Sequence, residues 1–179
     1  MLWTLIKTIW LFLPAYTPNN FAVIFGGGKP IDLGKNFVDG KRILGDGKTF
    51  RGFFGGLFGG LITGLAQYKI EQIAGLEFFT TMPLSSALTL FLLLSLGSLT
   101  GDLLGSFIKR RLGIERGGKA PLLDQLDFLV VAIVFASFHE YFSSLYTAEV
   151  IVIALILTPL LHKLINVIAY LLRLKDVPW

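Results

Sequence analysis

The 179 residues are 54% hydrophobic and only 16% charged, with a formal net charge of +4 and a mean hydropathy of +0.70. That balance excludes an ordinary water-soluble domain and points to a chain built for lipid. There is no cysteine, so disulfides, a thiol nucleophile and a thiolate metal site are excluded, and His139 and His162 alone are too few for a histidine-built zinc site.

Apolar runs near spanning length recur along the chain. They predict an all-α polytopic membrane protein, one domain over residues 1–179 with five transmembrane helices. The first span covers about Leu2 to Phe25. Pro14 and Pro18 are expected to kink or break it. It has no basic leader and no small-x-small cleavage site, so it reads as a retained span rather than a signal peptide. A long polar loop, about 26–52, follows. The second span, about Phe53 to Tyr68, holds Gly55, Gly56, Gly59, Gly60 and Gly64. Small residues four apart let helices approach closely, either inside one subunit or along a homodimer seam. A loop over about Lys69 to Met82 carries Lys69, Glu71 and Glu77. The third span runs from about Pro83 to Phe107, and a basic loop occupies about 108–123. The fourth span is about Gln125 to Tyr141. The fifth is about Ala148 to Leu174, with a bend expected at Pro159.

Thirteen of the sixteen Lys and Arg fall in the first loop, the third loop and the C-terminal tail. Five spans put those three regions on one face. The positive-inside rule makes that face cytoplasmic, with the N-terminus outside and the C-terminus inside. All seven aspartates lie at or near the same face. Aspartates clustered beside cations suggest oxygen ligation of a hard cation with phosphate nearby.

Two constellations carry the chemistry. On the third span, Ser95, Ser98, Asp102, Ser106 and Lys109 fall on one helical stripe. Asp102 sits about 10 Å inside Lys109, a depth at which a carboxylate faces a bundle interior or a wet cavity. A structural ion pair or helix–helix hydrogen bonds are the plainer explanation. At the mouth of the fourth span, Asp124 and Asp127 stand three apart and share a face. Helix capping would explain their position and does not exclude ligation. Three carboxylates on two neighbouring helices repel unless a cation lies among them, and an oxygen-only set points to Mg²⁺, with Asp102, Asp124 and Asp127 as its ligands.

The link "KRRLGIERGGKAP" could cradle phosphates, or simply touch anionic lipid as a positive-inside loop. In the first loop, Gly47-Lys48-Thr49 resembles the end of a P-loop. Arg42 stands where the motif needs glycine, so that motif is rejected, while Lys48 and Arg51 remain good phosphate ligands.

The stretch Thr100 to Asp127 resembles the signature of the phosphatidate cytidylyltransferase family. Thr100 stands at its first Ser, Ser106 at the second, Lys109-Arg110 at its basic pair and Asp124-Gln125-Leu126-Asp127 at its final Asp-Arg-x-Asp. Glu115-Arg116 replaces a Lys-Asp pair, and a His-Gly-Gly segment is missing. The short chain and the loop "GGGKPIDLGKNFVDGKRILGDGKTFRG" are similar to the compact archaeal branch of that family, the CDP-archaeol synthases. The resemblance, from about Pro14 to Asp127, implies a Mg²⁺-dependent transferase. Its expected partners are CTP, 2,3-bis-O-geranylgeranyl-glycerol phosphate and membrane lipids, with no nucleic acid. The expected products are a CDP-activated lipid and pyrophosphate, made at the cytoplasmic face of the cell membrane.

Within that reaction Asp124, Asp127 and Lys109 are the catalytic candidates. Lys48, Arg51, Arg110 and Lys119 would hold phosphates, Ser106 would position one, and Asp46 and Thr49 would contact the nucleotide. The alternative class is a small membrane transporter of anionic or phosphorylated compounds. Its support is the scattered set His139, Glu140, His162, Lys163 and Asn166.

Overall fold

A computed structural model describes residues 2–115 and 117–171. Arg116, the tail residues Arg173, Lys175 and Asp176 and the end of the fifth expected span lie outside the described residues, as do the side chains of His162 and Asn166. The described residues form helices and loops with no named strand. The helices are α1 (Leu2–Ile24), α2 (Phe50–Ala74), α3 (Leu84–Arg111), α4 (Leu123–Ala136), the single turn α5 (Phe142–Leu145) and α6 (Ala148–Leu171). Five of them are long and stand where the five spans were expected. Among the described residues α3 alone is both long and apolar enough to cross a bilayer by composition, and α6 is apolar as far as Leu161.

Helix α1 passes through Pro14 and Pro18 without a break, so of the expected kink or break the break does not occur. A proline removes one helical N–H and pushes aside the carbonyls three and four residues before it. Neighbouring side chains replace what is lost. For Pro14, Gln67 Nε2 donates to Trp10 O at 2.7 Å and the Tyr146 hydroxyl donates to Leu11 O at 2.8 Å. For Pro18, the Ser95 hydroxyl donates to Pro14 O at 3.1 Å and the Ser98 hydroxyl donates to Ala15 O at 2.7 Å. The upper part of the α3 stripe is therefore structural.

Helix α2 is longer than the span expected over 53–68. Thr49 caps its start by accepting from Gly52 N–H at 3.0 Å, and Gly75 ends it in a left-handed cap at φ +66°. Residues 69–74, expected in a loop, are helical. Glu71 is fully buried there, accepting from Trp10 Nε1 at 2.7 Å and Thr80 N–H at 2.9 Å. The α2 glycines pack inside the subunit. A Cβ on Gly60 would fall 2.2 Å from Ser95 Oγ, and one on Gly64 would fall 2.3 Å from the Phe91 ring. Phe54 and Phe58, 62% and 59% exposed, occupy the outer face, where a lipid-embedded helix needs apolar cover.

Helix α3 extends through Arg111, taking 108–111 from the expected basic loop, and α4 starts at Leu123 and stops at Ala136, short of the expected Tyr141. Turns fill 137–141, where His139 Nε2 meets Ser86 O at 3.0 Å and Ser86 Oγ donates to Glu140 at 2.6 Å. Helices α3 and α4 meet along Gly97, Gly101 and Gly105, where added Cβ atoms would strike Ala132 and the Asp127 backbone and side chain within 2.6 Å. Leu11, Phe12, Phe91, Leu94, Leu129 and Val150 fill the core between α1, α3, α4 and α6.

Candidate active site

Loop one is folded around two charged anchors. The side chain of Asp32 is buried against Arg42 Nη2 at 2.8 Å. It also accepts from the backbone N–H groups of Gly34, Leu44 and Gly45 at 2.8–3.1 Å. Burial pushes its carboxyl up, but the Arg42 guanidinium and those backbone donors outweigh burial and hold it well below the usual carboxylate range. The second anchor is Arg111. It lies over the rings of Phe37 and Phe107 at 4.9 and 4.8 Å. It also donates to Asp39 at 2.8 Å and to the carbonyls of Lys41 and Arg42. Lys41 Nζ returns a bond of 2.9 Å to Arg111 O. Loop one is thereby fixed to the end of α3, on the face that also holds the 112–122 link.

The base of the loop is closed by Ile31 N–H donating to Lys48 O at 2.7 Å and Phe50 N–H donating to Lys29 O at 3.2 Å. This closure aims Lys48 at α3, where its ammonium donates to both oxygens of Asp102 at 2.6 and 2.7 Å. A second pair forms between α3 and α4, with Lys109 Nζ 2.5 Å from Asp124 Oδ1. The other oxygen of Asp124 accepts from Ala120 N–H at 2.9 Å, which braces the turn before α4, while the N-cap of the helix is Leu122 and not Asp124 as expected. Asp127 follows one turn on. Its Oδ2 rests against Gly105, where a Cβ would come within 1.8 Å, and Oδ1 accepts from Phe128 N–H at 2.6 Å.

Two cavities meet here. The first, of about 490 Å³, is lined by the Asp46–Thr49 turn, Gly26, Gly27, Leu99 and Asp102. The second, of about 680 Å³, has Ile9, Leu13, Phe128 and Leu161 on its apolar walls and Asp102, Asp124 and Asp127 at its charged part. Among the described residues only Asn19 and Asp102 line both. The fold thus gathers Asp102, Asp124, Asp127, Lys48 and Lys109 around one opening. Asp46 lines the first cavity while paired with Arg42 at 2.7 Å, and Thr49 lines it while capping α2. Ser106 is buried on α3, Arg51 and Lys119 are exposed, and none of the three lines either cavity. Arg110 Nε is buried with no hydrogen-bond partner.

Among the described residues no three carboxylates or histidines are close enough to hold one metal ion as they stand, because Lys48 and Lys109 draw Asp102 and Asp124 to themselves. The donor chemistry still suits a hard divalent cation. The set is oxygen-only, and three carboxylates against two ammonium groups leave one net negative charge.

A bundle of apolar helices with one chamber of mixed lining and one mainly apolar, which share Asp102 of the Lys48–Asp102 pair, has the architecture of an intramembrane enzyme. The comparisons agree. The family model described as "CarS-like: CDP-archaeol synthase" matches residues 1–179. A CDP-archaeol synthase of Archaeoglobus fulgidus is 58% identical over 179 residues, the whole of both chains. Another, of Methanospirillum hungatei, is 48% identical over 93% of this chain and 99% of its own. A solved structure described as an intramembrane enzyme for archaeal membrane lipids biosynthesis superposes with a TM-score of 0.70 at 39% identity, covering 88% of this chain and 91% of that one. The chain belongs to the CarS-like family of CDP-archaeol synthases.

Sequence reasoning missed three parts of this arrangement. Asn19, near the end of the first span, belongs to no motif, yet it lines both cavities. The Asp102–Lys48 pair joins residues 54 positions apart and leaves no local spacing signal. The Gly97, Gly101, Gly105 series did carry a signal, its period of four, but stood beside the denser glycine pattern of α2.

Proposed function

We propose that the chain transfers a cytidylyl group from CTP to the phosphate of a membrane-bound prenyl-ether glycerol phosphate, releasing pyrophosphate in archaeal ether-lipid synthesis. The full-length family match carries this proposal. The paired chambers support it, since a soluble nucleotide and a lipid must meet at one rim. Membership of the family makes the protein a cytidylyltransferase, and a transporter is not favoured. The preferred lipid is 2,3-bis-O-geranylgeranyl-glycerol 1-phosphate, and all 179 residues act as one domain.

A phosphate monoester has a second pKa near ~6, so the attacking oxygen is already an anion at neutral pH. No strong general base is needed, and the protein's work is positioning and charge neutralisation. The lipid phosphate oxygen bonds to the α-phosphorus of CTP. The bridging α–β P–O bond breaks, and its electron pair leaves with pyrophosphate. Lys48 and Lys109 can swing from their carboxylates to phosphate oxygens, and Arg51, Arg110 and Lys119 supply further positive charge at the rim. Ser106, Asp46 and Thr49 complete the phosphate and nucleotide contacts. Asp102, Asp124 and Asp127 would hold Mg²⁺, which when bound supplies charge compensation for the triphosphate.

The five long helices cross the membrane with the N-terminus outside, and the two charged loops form the cytoplasmic rim. Reconstitution with CTP, Mg²⁺ and the geranylgeranyl-ether phosphate tests the reaction. Stoichiometric pyrophosphate and CDP-lipid are expected, and the absence of both would sink it.

A further inference from the structure

Asn19 sits one residue after Pro18 in the last turns of α1, half-buried, and with Asp102 is one of the two residues that border both chambers. Both oxygens of Asp102 are engaged by Lys48. Asn19 is therefore the uncharged polar group at the seam. Its Oδ1 is buried and has no hydrogen-bond partner. The α1 backbone carbonyls that the two prolines free all find side-chain donors elsewhere in the chain, so an orphan in the same helix stands out. Buried polar atoms without partners are rare enough in folded proteins to need a reason. An amide can turn end for end, so either its oxygen or its NH2 can be the end that a ligand reaches.

We propose that Asn19 is a substrate-positioning residue whose carboxamide bridges the two chambers and donates to the phosphate oxygens that approach one another there. This rests on the cytidylyl-transfer function proposed above. Two anions must be brought to within about 3.5 Å of each other at the seam. A lysine would compete with Lys48 for Asp102, and a carboxylate would repel both substrates. A neutral donor does neither. In the bound complex the NH2 end of the amide meets phosphate oxygens.

The test uses the full chain in lipid nanodiscs, with CTP and the geranylgeranyl-ether phosphate as probes. Asn19→Leu keeps the volume and removes the donor. It is expected to lower kcat by about 100-fold, as removing a single transition-state donor does, with the affinity for CTP alone and the melting temperature unchanged. Asn19→Asp keeps the shape and adds a charge, and is expected to raise KM for the lipid phosphate as well as lower kcat. A Leu variant with near-normal kcat overturns the proposal. So does a loss of kcat in both variants that tracks an equal loss of melting temperature, because that is the mark of a packing role. A wild-type protein that releases no pyrophosphate removes the cytidylyl-transfer function, and the seam assignment with it.

Discussion

Asp32 has no place in the chemistry, yet it holds loop one in shape. Four donors converge on it: the guanidinium of Arg42 and the backbone N–H groups of Gly34, Leu44 and Gly45. A carboxyl held below its ordinary value in the folded chain adds stability at every pH above the unfolded value, near ~3.9, and loses that contribution as pH falls through the folded value. Asp32→Asn is therefore expected to cost about 1–3 kcal/mol at neutral pH, the range for hydrogen bonds to a charged group. The gap in melting temperature between wild type and variant should stay constant above about pH 5 and narrow progressively as pH falls below about 4. A gap that persists at low pH would show that the aspartate's charge is not what the loop uses. The sequence singled out Asp102 by its depth in the third span and Asp46 for the nucleotide, and it left Asp32 without a role. Asp32 and Asp46 are both loop aspartates near lysine or arginine, whereas Asp102 lies inside α3. Only the fold decides that one is walled in by backbone donors, one is largely solvated and one meets Lys48. Arg110 and Ser106 could be named beside Lys109 from the signature, and it is Lys109 that pairs with Asp124 at the second cavity.

At the scale of the helix, α1 and its neighbours share one device. Each proline displaces two carbonyls, and side chains of α2, α3 and Tyr146 supply the missing donors. The pairing makes a directional prediction. If Ser95 exists to satisfy the carbonyl that Pro18 frees, removing both should cost less than the two separate losses. Ser95→Ala alone is expected to destabilise by about 1 kcal/mol. In a Pro18→Ala background, where residue 18 regains its own N–H, the same change should be close to neutral. A thermodynamic cycle in detergent reads the difference, and additivity would refute the pairing. The helices themselves were largely legible, because long apolar runs bounded by charge or glycine are a strong signal. Two departures share one cause. Charge marked residues 69–74 as loop, but Glu71 is buried inside α2 with its own donors, and α1, expected to kink or break at its prolines, stays helical through both. Tertiary hydrogen bonds override local preference at both places. The serine stripe on α3 was visible at its helical spacing. What could not be seen was that its upper half faces α1 and serves the backbone.

For the whole molecule, loops and helix ends sort into two unlike ends. One end carries loop one, the 112–122 link and the two lysine–carboxylate pairs. Arg111, Lys41 and Asp39 bind these parts together, so that both charged loops must lie on the same side of any membrane the bundle crosses. The other end carries the Glu71 cluster with its neighbouring 3-10 turn, the Ser86–Glu140 bond and the short α5, and it is poor in lysine and arginine. Mutual contact fixes which loops are together, whereas the positive-inside rule supplies the direction. The chain has no cysteine, so single cysteines report cleanly on side. Val38, 94% exposed at the tip of loop one, marks the charged end, and Glu77, exposed beyond α2, marks the other. In intact cells a membrane-impermeant maleimide is expected to label Glu77→Cys and spare Val38→Cys, which should react only after the membrane is opened. Labelling of Val38→Cys from outside would place the charged rim away from cytoplasmic CTP and overturn the orientation. Labelling of both would show that the two ends are not separated by the membrane, and would sink the five-span arrangement itself. The expected pattern puts the polar chamber in reach of CTP, while the apolar walls of the second chamber remain at the depth of the lipid chains.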